Sequence, residues 1–351
     1  MLIDTDTKAT PCFCIRPITE VPEHRLAEFY ERIYPQRAKF LKANWRWLYR
    51  VDEFDRWPVP LVAMVADHVI AHLGTTPVML CRGEDVRWAT WNADFAVVPE
   101  YRRQKAGTKL MQAMMMQWPL QIAFGNEKSV AAMLKIGWKV QTHTWSFQLL
   151  ARPEYHPKIR QSPLALLGQM GGMVTRAVWA MRTQAARAIS ASQVSAGNLA
   201  RFSRPIPDDA LAATRSPEFL SWRVLAHPTM SEHYILNCSV DATAEYMLLA
   251  RVSEQDGFRR LHLLSLIADP LDEELLSRCF ASVVQWSLKT GIHRILFVTS
   301  NPVIAKVARS WFPISGSLSF LYYANDDSGW DYLSSSAHRW ECLDSDFDLS
   351  V

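Results

Sequence analysis

Val97-Val98-Pro99-Glu100-Tyr101-Arg102-Arg103-Gln104-Lys105-Ala106-Gly107-Thr108-Lys109-Leu110 decides how the rest of the chain is read. The residues leading into it, Trp88 to Val98, are rich in aromatic and β-branched types, and Pro99 cannot donate to a sheet ladder. A strand therefore ends there. After Gly107 the apolar residues Leu110, Met111, Met114 and Met115 recur at three- and four-residue spacing, which predicts a helix from about Ala106 with one buried face. The loop Arg102 to Thr108 is then a helix N-terminus, where unpaired N–H groups and the helix dipole favour an anion. Arg102, Arg103, Lys105 and Lys109 add positive charge. The setting suits a diphosphate, and equally an ordinary strand-turn-helix corner with a solvated basic face.

A second segment follows at a suitable distance: Phe124-Gly125-Asn126-Glu127-Lys128-Ser129-Val130-Ala131-Ala132-Met133-Leu134-Lys135-Ile136-Gly137-Trp138. Together the two segments resemble the GCN5-related N-acetyltransferases, the GNAT superfamily. There the first motif reads V-x-P-x-[YF]-R-[GR]-x-G-x-G/A-x-x-L, and the second places Asn at a strand end, then a helix, then Gly-Phe or Gly-Trp. The resemblance spans residues 13 to 150. It implies an α/β (α+β) fold with a mixed, mostly antiparallel sheet flanked by helices, and acetyl-CoA or another acyl-CoA as co-substrate, with no metal. By the same resemblance, backbone amides of Gln104, Lys105, Ala106, Gly107 and Thr108 grip the pyrophosphate. The splayed strand from Phe95 through Val97 and Val98 pairs with the pantetheine arm, and Asn126 contacts the cofactor beyond the thioester. A backbone N–H at Val97 or Val98 polarises the thioester carbonyl.

Two residues depart from the pattern. Lys105 stands where the family loop has its first glycine, and a non-glycine residue at positive φ costs on the order of 1 kcal/mol. Met133 stands where many members carry a tyrosine that protonates the departing thiolate, and methionine has no proton to give.

At 351 residues the chain exceeds one domain of about 150 residues and suits two. A net charge of +3 is too small to argue for a nucleic-acid surface, and no nucleic-acid partner is expected. Six cysteines without paired C-x-x-C spacing indicate neither a zinc site nor a disulfide framework. The first residues carry early acids and no apolar run, so no signal peptide is read and a cytoplasmic location is expected. Helices are predicted over Glu23 to Tyr34 and Phe40 to Arg50, and strands over Leu61 to Ala66, Val69 to Leu80 and Val86 to Val98.

The expected division is an acyl-CoA-binding domain at 1–152, a helical segment at 153–214 and a degenerate second copy at 215–351. In the middle segment, Ser162 to Arg182 is apolar, but Arg176 and its glycines argue against a membrane span. An interdomain helix packed on the protein is the first reading, an amphipathic helix lying on a membrane or an acyl substrate the second. Peripheral membrane contact is the most that is expected. Ala196 to Pro207 reads as a linker.

The second half echoes the first. Glu218 to Arg223 matches the Trp45-Arg46-Trp47 helix, and Asn301 to Phe312 parallels Asn126 to Trp138. Ile267-Ala268-Asp269-Pro270-Leu271-Asp272, however, has acids where the first half has its basic loop, and acids repel a pyrophosphate.

The reaction the resemblance implies is acyl transfer to an amine, which attacks only when neutral and so needs a proton acceptor. Asp94 is the candidate general base, with a hydrogen-bonded structural carboxylate as the equal alternative; His68, His72 and His143 read as satisfied polar residues. The acceptor expected is a small molecule or a carbohydrate of cell-surface polysaccharide synthesis, with Trp45, Trp47, Trp88 and Trp91 as stacking or core residues. A catalytically inactive acyl-CoA-binding or scaffold protein, a long-chain N-acyltransferase and a peptidoglycan-type aminoacyltransferase are the other classes the sequence leaves open.

Overall fold

A computed structural model describes residues 12–53, 57–161, 165–203, 210–239, 245–334 and 337–344. The first half runs β1 (Cys14–Pro17), α1 (Glu23–Ile33), α2 (Ala38–Leu48), β2 (Leu61–Val65), β3 (His68–Arg82), β4 (Asp85–Val97), α3 (Ala106–Gln117), β5 (Leu120–Gly125), α4 (Glu127–Leu134) and β6 (Lys139–Leu150). The second contributes β7 (Ile189–Gln193), β8 (Ala210–Ala213), β9 (His233–Ser239), β10 (Glu245–Gln255), β11 (Phe258–Ile267), β12 (Arg294–Thr299), β13 (Ile314–Ala324) and β14 (Ala337–Arg339), with long helices Glu273–Lys289 and Pro302–Trp311.

The strands form one sheet in the order β1-β2-β3-β4-β5-β13-β6-β12-β11-β10-β9-β7, with β8 joining β3 and β14 joining β8. Outward from the central antiparallel pair β13/β6, the two wings repeat each other. Each has its parallel pairing at the same place, β4 with β5 and β11 with β12. The repetition inferred from the sequence is thus realised as a pseudo-twofold sheet, α+β and mostly antiparallel.

The wings also exchange strands. β6 closes the first half in sequence but pairs with β12 of the second, Phe147 lying opposite Phe297. β13 closes the second half and pairs with β5, Phe320 lying opposite Phe124. Burial drives the exchange: Phe147 and Leu149 belong to the core beneath β10–β12, whereas Phe320 and Tyr322 pack with Trp91 and Ile122. Each such side chain removed from water contributes about 1.5–3 kcal/mol. Neither wing is complete without the other's last strand.

Two expectations for the middle segment need correction. The linker read over Ala196 to Pro207 is ordered as far as it is described: Ser195 and Asn198 form a reciprocal cap on Ala196–Leu199, and Leu199 and Phe202 are buried; residues 204–209 lie outside the described residues. The helix observed at Ala165–Arg182 is only half packed, since it turns Gly172 and Trp179 inward and leaves most of its leucine, methionine and valine side chains outward. Among the described residues no helix is long and apolar enough to cross a membrane.

Candidate functional site

β4 holds β3 along its whole length, but on its other edge it meets β5 only at Thr90↔Gln121 and Trp91↔Ile122. Beyond Trp91 the two strands part. The wedge is polar and buried: Asn92 Nδ2 donates to Gln121 Oε1 at 2.9 Å, and Gln121 Nε2 donates to the Met114 and Trp118 carbonyls at the end of α3. The gap opens into a cleft of about 210 Å³ lined by Tyr34, Arg37, Asp94, Asn126, Ser129 and Met133, among others.

At Asp94 the strand bulges. The register slips between His72 and Gly74, and Asp94 takes a left-handed backbone, φ 49°. Its carboxylate is buried, 1% exposed, and paired with Arg37 Nη1 at 2.5 Å; Tyr49 donates its hydroxyl to the other oxygen at 2.8 Å. Behind the bulge, His72 Nδ1 lies 2.9 Å from the Asp94 carbonyl, which can only accept, so Nδ1 carries the proton and Nε2 accepts from Tyr30 at 3.3 Å. Burial lowers the His72 pKa below its ordinary value, which keeps that ring neutral. Asp94 therefore lines the cleft, but each of its oxygens already accepts a hydrogen bond. Each oxygen keeps a second lone pair, but with the side chain only 1% exposed an acceptor nitrogen has little direct access to it. His68 and His143 are exposed and away from this cluster.

Past the bulge, the Val98 amide donates to the Ile70 carbonyl at 2.8 Å and is spent within the sheet. By strand alternation Val97 turns its polar groups to the open edge, where its carbonyl accepts from Arg102 Nε at 3.2 Å. Of the two amides the sequence offered for the thioester, Val97 is the one that faces the gap.

The chain then makes a short helical turn, Pro99–Gln104, and Lys105 swings to φ 60°, ψ 14° before α3 begins at Ala106. No side chain caps α3. The first amides of the helix, on Ala106, Gly107 and Thr108, consequently have no partner within it, and the exposed side chains of Arg102, Arg103, Lys105 and Lys109 surround them. Gly107 is buried against the strand: a β-carbon there would sit 2.8 Å from Val97 Cγ2 and 3.0 Å from Phe95 Cζ. It is the residue that lets α3 lie on β4.

Asn126 stands at the mouth of the cleft as the cap of α4, accepting the Ser129 amide at 3.1 Å while its own amide donates to Ser129 Oγ at 2.9 Å. Met133 is buried in the cleft wall. Tyr34 and Arg37, which no sequence pattern singled out, come from the connection between α1 and α2. Of the four tryptophans considered for stacking, only Trp91 lines the cleft. It also lines a separate, smaller apolar cavity with Thr76, Phe219, Trp222, Leu343 and Asp344, at the seam between the wings. Trp47 and Trp222 clasp that seam, each indole N–H donating to the other residue's carbonyl, at 3.2 and 3.0 Å.

The opposite wing splays at the same place, between β11 and β12, and encloses about 180 Å³. Asn301 caps its helix as Asn126 caps α4. Here the resemblance ends. Asp272 accepts the amides of Glu274 and Leu275, both at 2.9 Å, so a carboxylate already occupies the helix N-terminus. Arg215, held by Glu341 at 2.5 Å and Ser265 Oγ at 2.7 Å, lines the cavity. Among the described residues, no group of three His, Cys, Asp or Glu side chains is arranged to hold a metal.

Residues 20–138 match the model of the acetyltransferase (GNAT) family. No curated protein matches the chain in sequence. Among solved structures, a GCN5-related N-acetyltransferase from Kribbella flavida aligns over 91% of this chain and 73% of its own, at 13% identity and a TM-score of 0.53. Saccharomyces cerevisiae N-myristoyltransferase with bound myristoyl-CoA aligns over 89% and 82%, at 8% identity and a TM-score of 0.55. A probable N-acyltransferase from Enterococcus faecalis V583 aligns over 92% and 74%, at 8% identity and a TM-score of 0.50. At these identities the likeness is one of fold.

Proposed function

We propose, from the match of residues 20–138 to the acetyltransferase (GNAT) family, that the first wing binds an acyl-CoA and passes the acyl group to the amine of a small acceptor, an amino sugar being the class favoured. The observation that carries the reading is the contrast between two otherwise matching helix starts. That of α3 is uncapped and ringed by cations, whereas that of Glu273–Lys289 is filled by Asp272. Only the first leaves amides for a pyrophosphate.

In this reading Gln104 to Thr108 hold the diphosphate and the open edge of β4 pairs with the pantetheine arm. The Val97 amide donates to the thioester oxygen as charge develops on it. The acceptor enters along the seam past Trp222 and Trp91, where the aromatic faces suit a sugar ring. Its neutral nitrogen attacks the carbonyl carbon, the new C–N bond forms and the C–S bond breaks. One proton leaves the nitrogen for water at the Asp94 bulge, and one reaches the thiolate. Tyr34 is the cleft's phenol and supplies that second proton in place of Met133.

Titration of acetyl-CoA into the full chain tests this, with Thr108→Glu as the variant. Thr108 is half-exposed at the third amide of α3, so a carboxylate there opposes the diphosphate without the packing clash that any side chain at Gly107 brings. Saturable binding, weakened by about tenfold or more in the variant, is expected. Equal binding by both proteins would refute the site. Turnover is then sought with amino-sugar acceptors.

A further inference from the structure

Helix Ala165–Arg182 packs inside out. Gly168 and Gly172 face the body of the protein, where a β-carbon on the first would collide with Ile159 and one on the second with Glu154. Arg176 reaches inward to Glu154 at 3.4 Å. Trp179 is buried against Trp311, with centroids 6.1 Å apart, and the Thr183 carbonyl just beyond the helix accepts from Gln285 at 3.0 Å. These contacts fix the rotation of the helix. They leave Leu166, Leu167, Met170, Met173, Val174, Val178 and Met181 on the outer side, with exposures between 48% and 76%. Apart from Gln169, no polar side chain interrupts that face before Arg182. Rotating the helix to hide these residues would drive their bulk into the gap that only the glycines fit. A continuous apolar row of this kind marks an interaction surface.

Charge identifies what covers it. From Tyr155 to Pro207 the chain has no Asp or Glu, yet it carries Lys158, Arg160, Arg176, Arg182, Arg187, Arg201 and Arg204, in a protein whose net charge is only +3. Lys158 and Arg160 are exposed just before the apolar row, and Arg182 and Arg187 are exposed just after it. Arg182 lies over the Trp179 and Trp311 rings, which holds its charge at the edge of the apolar face. An apolar stripe flanked at both ends by cations matches the boundary between acyl chains and anionic headgroups. A second copy of the chain fits less well, because a self-pairing face would bring these cations together.

We propose that helix Ala165–Arg182 is a peripheral anchor that lies on membranes containing anionic phospholipid, its apolar row in the acyl boundary and its flanking cations among the headgroups. The proposal stands independently of the acyl-transfer reading.

Co-flotation of the full chain with vesicles tests it, comparing phosphatidylglycerol–phosphatidylcholine mixtures with pure phosphatidylcholine. Two variants accompany the wild type: Met170→Glu/Val174→Glu, which alters the apolar row, and Lys158→Glu/Arg187→Glu, which alters the flanks. All four positions are exposed, and unchanged thermal melts confirm folding. The wild type is expected to float with the anionic vesicles, less so at high salt, and each variant to lose about tenfold or more in vesicle affinity. Failure of the wild type to float overturns the proposal, as does flotation undiminished in either variant. Sedimentation velocity without lipid that shows a dimer abolished by Met170→Glu/Val174→Glu, with no flotation, assigns the face to a second copy instead.

Discussion

Asp94 fastens the cleft from inside. It accepts from Arg37 and Tyr49, and its left-handed backbone, φ 49°, makes the bulge that separates β4 from its regular course. Asp94→Asn keeps an acceptor for Tyr49 but replaces the buried carboxylate that pairs with Arg37, itself 14% exposed, by a neutral amide. Breaking a buried pair in this way is expected to lower stability by about 3 kcal/mol in urea melts. If Asp94 only positions the bulge, the variant loses kcat with an unaltered pH profile; removal of the acidic limb of that profile would instead make Asp94 the base. Lys105 poses the reverse case. Its φ of 60° is the strained conformation that the family glycine would adopt freely, so Lys105→Gly is expected to stabilise the fold by on the order of 1 kcal/mol. The same variant should bind acetyl-CoA comparably, as calorimetry would show, because in the proposed site the loop amides carry the contact. At this scale the loop was legible in the sequence, since its signal is local: a proline, a run of cations, a glycine and a helical period. Tyr34, Arg37 and Tyr49 were not, because Arg37 and Tyr49 bond Asp94, and Tyr34 joins it in the cleft, across 45 to 60 residues of chain that no spacing rule connects.

Elements differ in how much of their placement local sequence carries. Helix Glu273–Lys289 has its boundaries in local sequence, because Asp272 caps it and Lys289 lies in its last turn. On the proposed reading that cap also separates the two wings functionally, which can be tested directly. Asp272→Ala removes the acceptor for the Glu274 and Leu275 amides and is expected to cost about 1 kcal/mol of stability in denaturant titrations. It should leave acetyl-CoA affinity unchanged, because Glu273 and Glu274 still hold negative charge in the first turn. A second binding site appearing in the variant would show that Asp272 alone closes the opposite wing. β7 was missed for the opposite reason: Ile189–Gln193 is mostly exposed and small, so it has no alternating pattern, and it is a strand only because β9 offers an edge. Helix Ala165–Arg182 was seen as a helix, but its rotation is not legible in the sequence. Hydrophobicity alone points Leu and Met inward, whereas the close approach to Glu154 and Ile159 admits only glycine.

For the whole molecule, the repeat was visible in sequence and the exchange was not. Two similar halves predict two similar sheets, and no local pattern in β6 or β13 says that each pairs across the centre, because an apolar strand reads the same in sequence whichever sheet it joins. The consequence bears on dissection of the protein. Cutting after residue 152 leaves β5 without β13, exposing an apolar edge at Leu120 to Phe124, and leaves β6 without β12. The remainder, beginning at 153, loses Phe147 and Leu149 from the core beneath β10–β12 and leaves both β12 and β13 without the strand that joins them. Two aromatic or leucine side chains withdrawn from a core cost several kcal/mol, roughly the whole stability of a domain. Each fragment expressed alone is therefore expected to be insoluble or to lack the near-ultraviolet circular dichroism of packed aromatics. Co-expressed fragments should re-form the central β13/β6 pair and recover both that signal and acetyl-CoA binding. A soluble, cooperatively melting fragment 1–152 that binds acetyl-CoA by itself would show that the first wing closes its own sheet, and that the exchanged strands join two domains rather than build one.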